Sequence, residues 1–491
     1  MCGIFAIFNS TDNQDNIINT IPDTIEGLKL LQHRGKDSCG ISYNQSNIKS
    51  NINSNIKEIK GKGLVSDVFS NKNIKNINSN ICIGHVKYNT NNNIYNNFIQ
   101  PLTSNNNNNN NNSISLAHNG NIPNIRTYDS QYLLDFILNN NSNNSNIDDT
   151  LIKLMNYFSV SFCLCIIYKD SLYVMRDRHG IRPLSIYIDD NKSYSNINDL
   201  KDKKDFVNHK KKSLSGLSRV YVSSETYAFK SIRYNIKNYD YRDNIREVMP
   251  GEIIKISNDG IRLIYTHPAA RYGLCAFELF YFMNPDSFIY NNFVSDIRRL
   301  LGIKLAQKEK HILKKNKNKK RYLVTGVPQS GIISAQAYAR YLSLDYFQII
   351  EKNNNTNNGE DRTFILPNDT ERIRACKKKF TYNKRLIKNR NIIIVDDTIV
   401  RGNVIKTIID IFKQLGANEI HIRIPAPPVV NRCQLGIAIY NKNELLMNGK
   451  SIEAARFILG VNSLEFLETS ELDMIPPESY KECFNEKNMV F

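Results

Sequence analysis

Asparagine tracts partition this chain of 491 residues. They run over Asn44–Asn55, Asn71–Asn80, Asn89–Asn97, Asn105–Asn112, Asn139–Asn146 and Asn353–Asn358. A run of polar amides has no apolar area to set against the entropy of ordering, so the tracts read as loops or disordered insertions. Any core must be assembled from the segments between them. Those segments have the material: the chain is 41% hydrophobic, with 26 Tyr and 22 Phe, and its length suits two to three domains.

The same composition narrows the function. The formal net charge is +18. Much of it lies in lysine runs such as Lys210–Lys212, Lys310–Arg321 and Lys377–Lys379, which read as solvated faces. They lack the aromatic interleaving of a single-strand binder, so no nucleic-acid partner is expected. No apolar run approaches the ~18 residues of a bilayer span, so no membrane contact is expected. The N-terminus lacks the basic region of a signal peptide. The nine cysteines are an odd number, and Cys163 and Cys165 alternate with Leu164 inside one apolar strand. That is the pattern of reduced thiols in a cytoplasmic protein, not of a disulfide framework.

Two textures follow one another. Residues 2–265 are strand-rich, as in a layered α+β domain. Ile4–Phe8, Ile81–Lys87, Ser115–His118, Val160–Tyr168, Leu172–Arg176 and Val220–Glu225 read as strands, and Ile21–Leu31 has helical spacing. Residues 266–491 alternate buried strands (Tyr322–Gly326, Ile392–Val395, Glu419–Pro425) with helices (Phe293–Gln307, Ile333–Leu342, Ile405–Leu415). That alternation predicts an α/β domain with a parallel sheet, whose ligands bind at the carboxyl ends of strands.

Each half carries a candidate site. Cys2 follows the initiator Met, and removing Met1 would leave a thiol and an α-amine on one residue. That amine, with a pKa near ~8, can accept the thiol's proton. Asn119-Gly120 offers a side-chain amide and a backbone N–H, the two donors an oxyanion hole needs, although an Asn-Gly turn has the same sequence. Arg34, in Gln32-His33-Arg34-Gly35, is a candidate carboxylate clamp. Asp129 is either a helix cap or the holder of an amino group. In the second half, Ile392-Ile393-Ile394-Val395 delivers Asp396 and Asp397 to a strand end, and Thr398 to Asn403 then lead through Gly402 into a helix. Two carboxylates beside a helix N-terminus suit a ribose 5-phosphate with a Mg²⁺-bound pyrophosphate.

The Asp396-Asp397 segment resembles the phosphoribosyl-pyrophosphate (PRPP) loop of type I phosphoribosyltransferases. The pieces Cys2-Gly3-Ile4, His33-Arg34-Gly35, Gly84-His85, His118-Asn119-Gly120-Asn121 and Asp129-Ser130 resemble the N-terminal-nucleophile domain of class II glutamine amidotransferases. The amidophosphoribosyltransferase family joins these halves in this order. Arg176-Asp177 with Gly180-Ile181-Arg182-Pro183-Leu184, Pro285-Asp286-Ser287 and Arg362-Thr363-Phe364-Ile365 are similar to its motifs too.

The resemblance implies a layered αββα N-terminal-nucleophile hydrolase domain followed by a parallel-sheet type I phosphoribosyltransferase domain. It implies glutamine-dependent ammonia transfer to PRPP, giving 5-phosphoribosylamine, pyrophosphate and glutamate, in purine synthesis. Cys2 would attack the glutamine amide, Asn119 and Gly120 would hold the oxyanion, and Arg34, Lys87, Thr90, His118 and Asp129 would bind glutamine. Lys352, Asp396, Asp397, Thr398, Val400, Arg401 and Gly402 would bind PRPP, with Ser330, Asp396 and Asp397 around Mg²⁺. Purine nucleotides would be feedback ligands, and the family suggests a homo-oligomer. Cys275, Cys433 and Cys483 match three of the four ligands of a [4Fe-4S] cluster in some members. Tyr480 stands at the fourth, which implies a remnant rather than a working cluster. Lys87 replaces Arg, Gln329 an acid, and Asn403 and Val404 two hydroxyl residues. These changes motivate one alternative, a degenerate homologue that binds PRPP or nucleotides with little turnover.

Overall fold

A computed structural model describes residues 2–10, 19–45, 55–70, 74, 77–88, 98–104, 113–123, 125, 128–141, 146–189, 219–235, 244–315, 321–353, 379–437, 439 and 441–485. The chain divides into two compact units, residues 1–274 and 275–491.

The first unit holds two antiparallel sheets. Its strands are β1 (Gly3–Asn9), β2 (Ser38–Gln45), β3 (Asn55–Lys62), β4 (Ile81–Lys87), β5 (Leu102–Ser104), β6 (Ile114–Asn121), β7 (Ser161–Tyr168), β8 (Ser171–Arg176), β9 (Ser185–Asp189), β10 (Arg219–Ser223), β11 (Ile245–Glu247), β12 (Glu252–Ser257) and β13 (Gly260–Thr266). One sheet runs β11-β9-β10-β1-β4-β2-β3 and the other β13-β12-β8-β7-β6-β5. Alternation sorts their side chains into layers. Ile4, Ala6 and Phe8 of β1 join Cys163, Cys165 and Ile167 of β7 in a core between the sheets. Phe5 and Ile7 turn the other way, onto Ile25 and Leu28 of helix α1 (Ile21–Leu30). α2 (Val65–Phe69) adds Val65 and Phe69 to that layer. On the far side, Phe162, Leu164 and Ile166 pack with Leu133 and Ile137 of α3 (Asp129–Asn140) and Leu151 and Leu154 of α4 (Ile147–Tyr157). The order of layers is helix, sheet, sheet, helix.

Residues beyond β13 stay with the first unit. Arg271 N–H donates to the Arg178 carbonyl and Gly273 N–H to the His179 carbonyl, each at 2.7 Å.

The asparagine tracts do not behave uniformly as loops. Asn44 lies on β2 and is buried; its Oδ1 accepts from Ile81 N–H at 2.9 Å and its Nδ2 donates to Asn80 Oδ1 at 2.6 Å. Asn146 caps α4 by accepting from Asp148 N–H at 3.2 Å. An amide that finds partners is as good a buried polar group as any other, which composition cannot reveal.

The second unit opens on a helical turn over Glu278–Phe282, followed by a small hairpin, β14 (Phe288–Ile289) and β15 (Asn292–Phe293). Its main sheet contains β16 (Tyr322–Gly326), β17 (Asp345–Tyr346), β20 (Asn391–Val395), β21 (Glu419–Ile424) and β22 (Ser463–Phe466) in the order β17-β16-β20-β21-β22. All these pairings are parallel. A separate ribbon pairs β18 (Ile350–Lys352) with β19 (Phe380–Tyr382). The helices are α5 (Val294–Lys315), α6 (Ile332–Leu342), α7 (Asn403–Gln414) and α8 (Ile452–Leu459). α7 buries Ile405, Ile408, Ile409 and Phe412, a spacing that keeps one face on the sheet. It starts two residues earlier than its apolar pattern suggests, because Gly402 adopts the left-handed conformation (φ 82°) at its N-cap.

The packing of α1 on β1 generates a test. A Cβ on Gly27 would stand 2.5 Å from the Phe5 ring, which the core holds immobile. Ala should gain about 1 kcal/mol in helix propensity and lose ~1–3 kcal/mol to overpacking. Denaturant unfolding of Gly27→Ala should therefore show net destabilisation, and Phe5→Leu in that background should recover part of it. Unchanged or raised stability of the single variant would contradict this packing.

Candidate active sites

In the first unit, Cys2 stands just before β1, a strand paired on one side with β10 and on the other with β4. Its backbone nitrogen donates to Asn119 Oδ1 at 3.3 Å. Asn119 lies near the end of β6, in register with Cys163. Its Oδ1 is committed to Cys2, so Nδ2 faces the other way, buried and with no hydrogen-bond partner among the described residues. A buried donor with nothing to bond is costly, and an arriving oxyanion would satisfy it. Gly120 follows in a space that admits no side chain: a Cβ would lie 2.1 Å from the Ser161 carbonyl oxygen and 2.5 Å from His118 Nε2. Asn119-Gly120 is strand, not an Asn-Gly turn.

Polar groups surround this corner. Lys87, at the end of β4, donates from Nζ to the Phe98 carbonyl at 2.8 Å and lies 4.7 Å from the centre of the Tyr128 ring. Burial lowers its pKa, while the charges of Cys2, Asp129 and Asp37 pull the other way. Asp129 opens α3 without capping it in the usual sense; its Oδ1 accepts from Ser130 N–H at 2.8 Å. His118 Nδ1 lies 3.0 Å from Ser130 Oγ and 3.8 Å from Asp129 Oδ2. Burial lowers the pKa of His118 and pushes His85 down to about 3, which favours the neutral imidazole in both. Thr90 lies outside the described residues.

Arg34 is placed differently from the expected glutamine clamp. It is 2% exposed, Nη1 donates to Glu225 Oε1 at 2.5 Å, and Nε donates to the Cys2 carbonyl at 2.8 Å. The guanidinium is already paired behind Cys2, and a substrate carboxylate would have to displace Glu225. Sequence reasoning missed Glu225, and it missed Gln100, which accepts from His118 N–H at 2.6 Å and donates to Tyr128 Oη at 2.8 Å. No spacing signal links positions so far apart; only the strand register brings them together.

In the second unit, β20 delivers its carboxylates to the C-terminal edge of the parallel sheet. Asp396 and Asp397 are 8% and 6% exposed. Asp397 accepts from Ser330 Oγ at 2.5 Å and from Thr398 Oγ1 at 2.7 Å. Burial raises both carboxyls above the usual carboxylate range, and the Asp397 charge raises Asp396 further. Lys379 opposes this at Asp396 and Arg298 at Asp397. Lys379 closes one of the lysine runs that read as solvated; the β18–β19 ribbon places it beside Lys352, in register with Phe380. Arg401 Nε donates to Glu444 at 2.5 Å, and Leu446 N–H donates to the Val400 carbonyl at 2.9 Å, so the turn before α7 is braced from outside.

These groups suit Mg²⁺. Two hard carboxylates and a hydroxyl meet at one strand end, and Mg²⁺ takes few protein ligands when a substrate pyrophosphate supplies the rest. No group of three or more His, Cys, Asp or Glu able to hold a metal alone occurs among the described residues.

The cysteine pocket gives the opposite answer. Cys275, Cys433 and Cys483 are buried with Tyr480. A Cβ on Gly436 would lie 2.6 Å from Cys275 Sγ, 3.1 Å from Cys433 Sγ and 3.4 Å from Tyr480 Cδ1, so the Gly436 backbone packs against two of the thiols and the phenol ring. Tyr480 Oη donates to Glu482, and Cys433 Sγ accepts from the N–H groups of Gly436 and Ile437 at 3.1 and 3.2 Å. Three thiols and a phenol committed to a carboxylate do not fit a cluster with four cysteine ligands.

Comparison with known proteins agrees with the two-site picture. Residues 293–428 match the phosphoribosyl transferase domain family. Amidophosphoribosyltransferase from Rattus norvegicus is 32% identical over 96% of this chain and 88% of its own length. The Homo sapiens enzyme gives the same values, and that of Bacillus subtilis is 28% identical over the same shares. A solved glutamine PRPP amidotransferase from B. subtilis, complexed with ADP and GMP, superposes with a TM-score of 0.76 at 26% identity, covering 99% of this chain and 97% of that one. The structure described as the allosteric regulatory enzyme of purine biosynthesis has the same score and identity, covering 99% and 96%. The first unit is accordingly an N-terminal-nucleophile glutamine amidotransferase fold and the second a type I phosphoribosyltransferase fold, and the chain belongs to the amidophosphoribosyltransferase family.

Proposed function

We propose that the two sites divide the family's reaction between them. The reaction is glutamine-dependent transfer of ammonia to PRPP, yielding 5-phosphoribosylamine, pyrophosphate and glutamate, and it commits the cell to purine nucleotide synthesis. The observation that carries our assignment of residues is the bond from Cys2 nitrogen to Asn119 Oδ1, which leaves Asn119 Nδ2 buried and unpartnered.

With Met1 removed, the Cys2 amine takes the thiol proton, and Sγ attacks the glutamine carboxamide carbon. The oxyanion forms against Asn119 Nδ2–H and the Gly120 N–H. The Cys2 ammonium returns that proton to the leaving nitrogen as the tetrahedral species collapses, breaking the C–N bond and releasing ammonia. Water then hydrolyses the thioester to glutamate. The Lys87 ammonium holds the substrate α-carboxylate and Asp129 the α-amine; a Lys there acts as a point charge and not a bidentate fork.

In the second unit, Asp396 and Asp397 hold the ribose hydroxyls of PRPP, and the first turn of α7 faces the 5-phosphate with backbone N–H groups. Asn403 and Val404 occupy that turn, so backbone donors carry the phosphate. Ser330 fixes Asp397 in place. Asp396, Asp397 and Ser330 would hold Mg²⁺, which when bound would supply charge neutralisation for the departing pyrophosphate. Ammonia attacks C1 of the ribose, and pyrophosphate leaves. Lys352, on the β18–β19 ribbon, adds positive charge for the same anion. ADP and GMP in the solved relative support purine nucleotides as regulators of this chain. We extend the reading to a homo-oligomer, for which the exposed Phe457 and Ile458 of α8 offer apolar surface. The phenol–carboxylate bond at Tyr480 supports a remnant in place of an iron–sulfur centre.

Two tests follow. Cys2→Ala should abolish glutamine-dependent synthesis and leave synthesis from high free ammonia near the wild-type rate. Equal loss of both would refute the division between sites. Asp396→Asn and Asp397→Asn each remove a charged partner whose loss typically costs ~1.5–3 kcal/mol, or roughly ten- to more than a hundredfold in PRPP affinity. Calorimetric titration with PRPP and Mg²⁺ should show that loss, with basal glutaminase activity retained. Unchanged PRPP affinity would sink the assignment.

A further inference from the structure

Behind Cys2 lies a buried acid that the reaction as described does not use. Glu225 follows β10 and is 1% exposed. Its Oε1 takes the Arg34 Nη1 hydrogen at 2.5 Å and lies 2.8 Å from His33 Nε2. Arg34 in turn donates from Nε to the Cys2 carbonyl at 2.8 Å. These contacts form a relay from Glu225 through Arg34 to the backbone of Cys2.

The chain on either side of the relay is fixed. Ile4 N–H donates to Ser224 Oγ at 2.9 Å, and Ser224 N–H donates to the Ile4 carbonyl at 3.0 Å. Ser223 Oγ accepts from Glu225 N–H at 3.2 Å and donates to the Glu225 carbonyl at 2.8 Å. A Cβ on Gly3 would lie 2.9 Å from Val86 Cγ2 and 3.4 Å from Arg34 Cδ, so the Arg34 side chain lies against the residue after the thiol. Cys2 itself is only partly buried, and Arg34 Nε and Asn119 Oδ1 grip its two backbone polar groups.

We propose that Glu225 is a positioning residue for glutamine hydrolysis. It holds the Arg34 guanidinium in the orientation that points Nε at the Cys2 carbonyl. This sets the backbone of Cys2, and with it the direction of thiol and nitrogen relative to Asn119. The inference rests on Cys2 as nucleophile. A guanidinium suits the task because its planar fork presents Nη1 and Nε along different edges, one for a carboxylate and one for a carbonyl. A buried cation also needs a fixed counter-charge, or it turns toward whatever acceptor is nearest. His33, one-third exposed at its side chain, adds a second donor to the same carboxylate and limits its rotation.

The test compares Glu225→Gln, Arg34→Lys and Cys2→Ala in the full chain. Glu225→Gln keeps the shape and loses the charge. Arg34→Lys keeps the charge for Glu225 and loses the Nε donor. Misplacement of a reacting group by about 1 Å costs on the order of a hundredfold, so both should lower kcat for glutamine hydrolysis by roughly ten- to a hundredfold. KM for glutamine and the ammonia-dependent rate should stay within about twofold of wild type, since neither uses the direction of the thiol. Full glutaminase kcat in both variants, with Cys2→Ala inactive, would overturn the positioning role and leave the nucleophile intact. Retained glutaminase activity in Cys2→Ala would overturn the nucleophile itself. If Glu225→Gln fails to fold, Arg34→Lys decides the matter. A parallel fall in the ammonia-dependent rate would assign the pair to general stability and refute the proposal.

Discussion

The first unit depends on a strand with no free side. β1 is hydrogen-bonded along both edges and buried on both faces, between the inter-sheet core and α1. A strand so enclosed has one register, because a slip of one residue would exchange Ile4, Ala6 and Phe8 with Phe5 and Ile7. That register carries Cys2 to the corner where β4 and β6 end. The thiol's location is therefore a packing result, fixed by residues that take no part in chemistry.

The second unit solves a related problem with a different constraint. A parallel strand buried on both faces can present polar groups only at its ends, and β20 ends in two adjacent acids. Hydroxyls from Ser330 and Thr398 and charge from Arg298 and Lys379 offset part of the burial that raises both carboxyls there. Repulsion between the acids is not removed. It is retained at the place where a cationic or hydrogen-bonding ligand relieves it.

Much of this was legible in the sequence because it is local. Ile392 to Gly402 states its own strand, carboxylates and helix entry in one stretch. The alternation from Ile4 to Phe8, and that around Leu164, names both faces of a strand. What was not legible is long-range pairing. Arg34 and Glu225 are 191 positions apart, and each looks like an ordinary surface charge in isolation. Arg34 therefore read as a clamp for a substrate when its partner was another part of the chain. Asn44 and Asn80 read as tract because composition ignores partners. Lys379 read as solvated because the ribbon that positions it joins Phe380–Tyr382 to residues some thirty positions earlier. Tyr480 is the converse case: the absence of a cysteine was visible, but the use of its hydroxyl on Glu482 was not.

The carboxylate pair has a consequence for how long the protein lasts. Burial raises both acids above their ordinary range, so each ionisation, as pH rises through that window, works against the folded second unit. A ligand that binds only the folded form returns that loss by mass action, about 2.7 kcal/mol at a hundredfold excess over its dissociation constant. If the pair holds PRPP as proposed, resistance of the second unit to heat and proteolysis should rise with the concentration of that ligand.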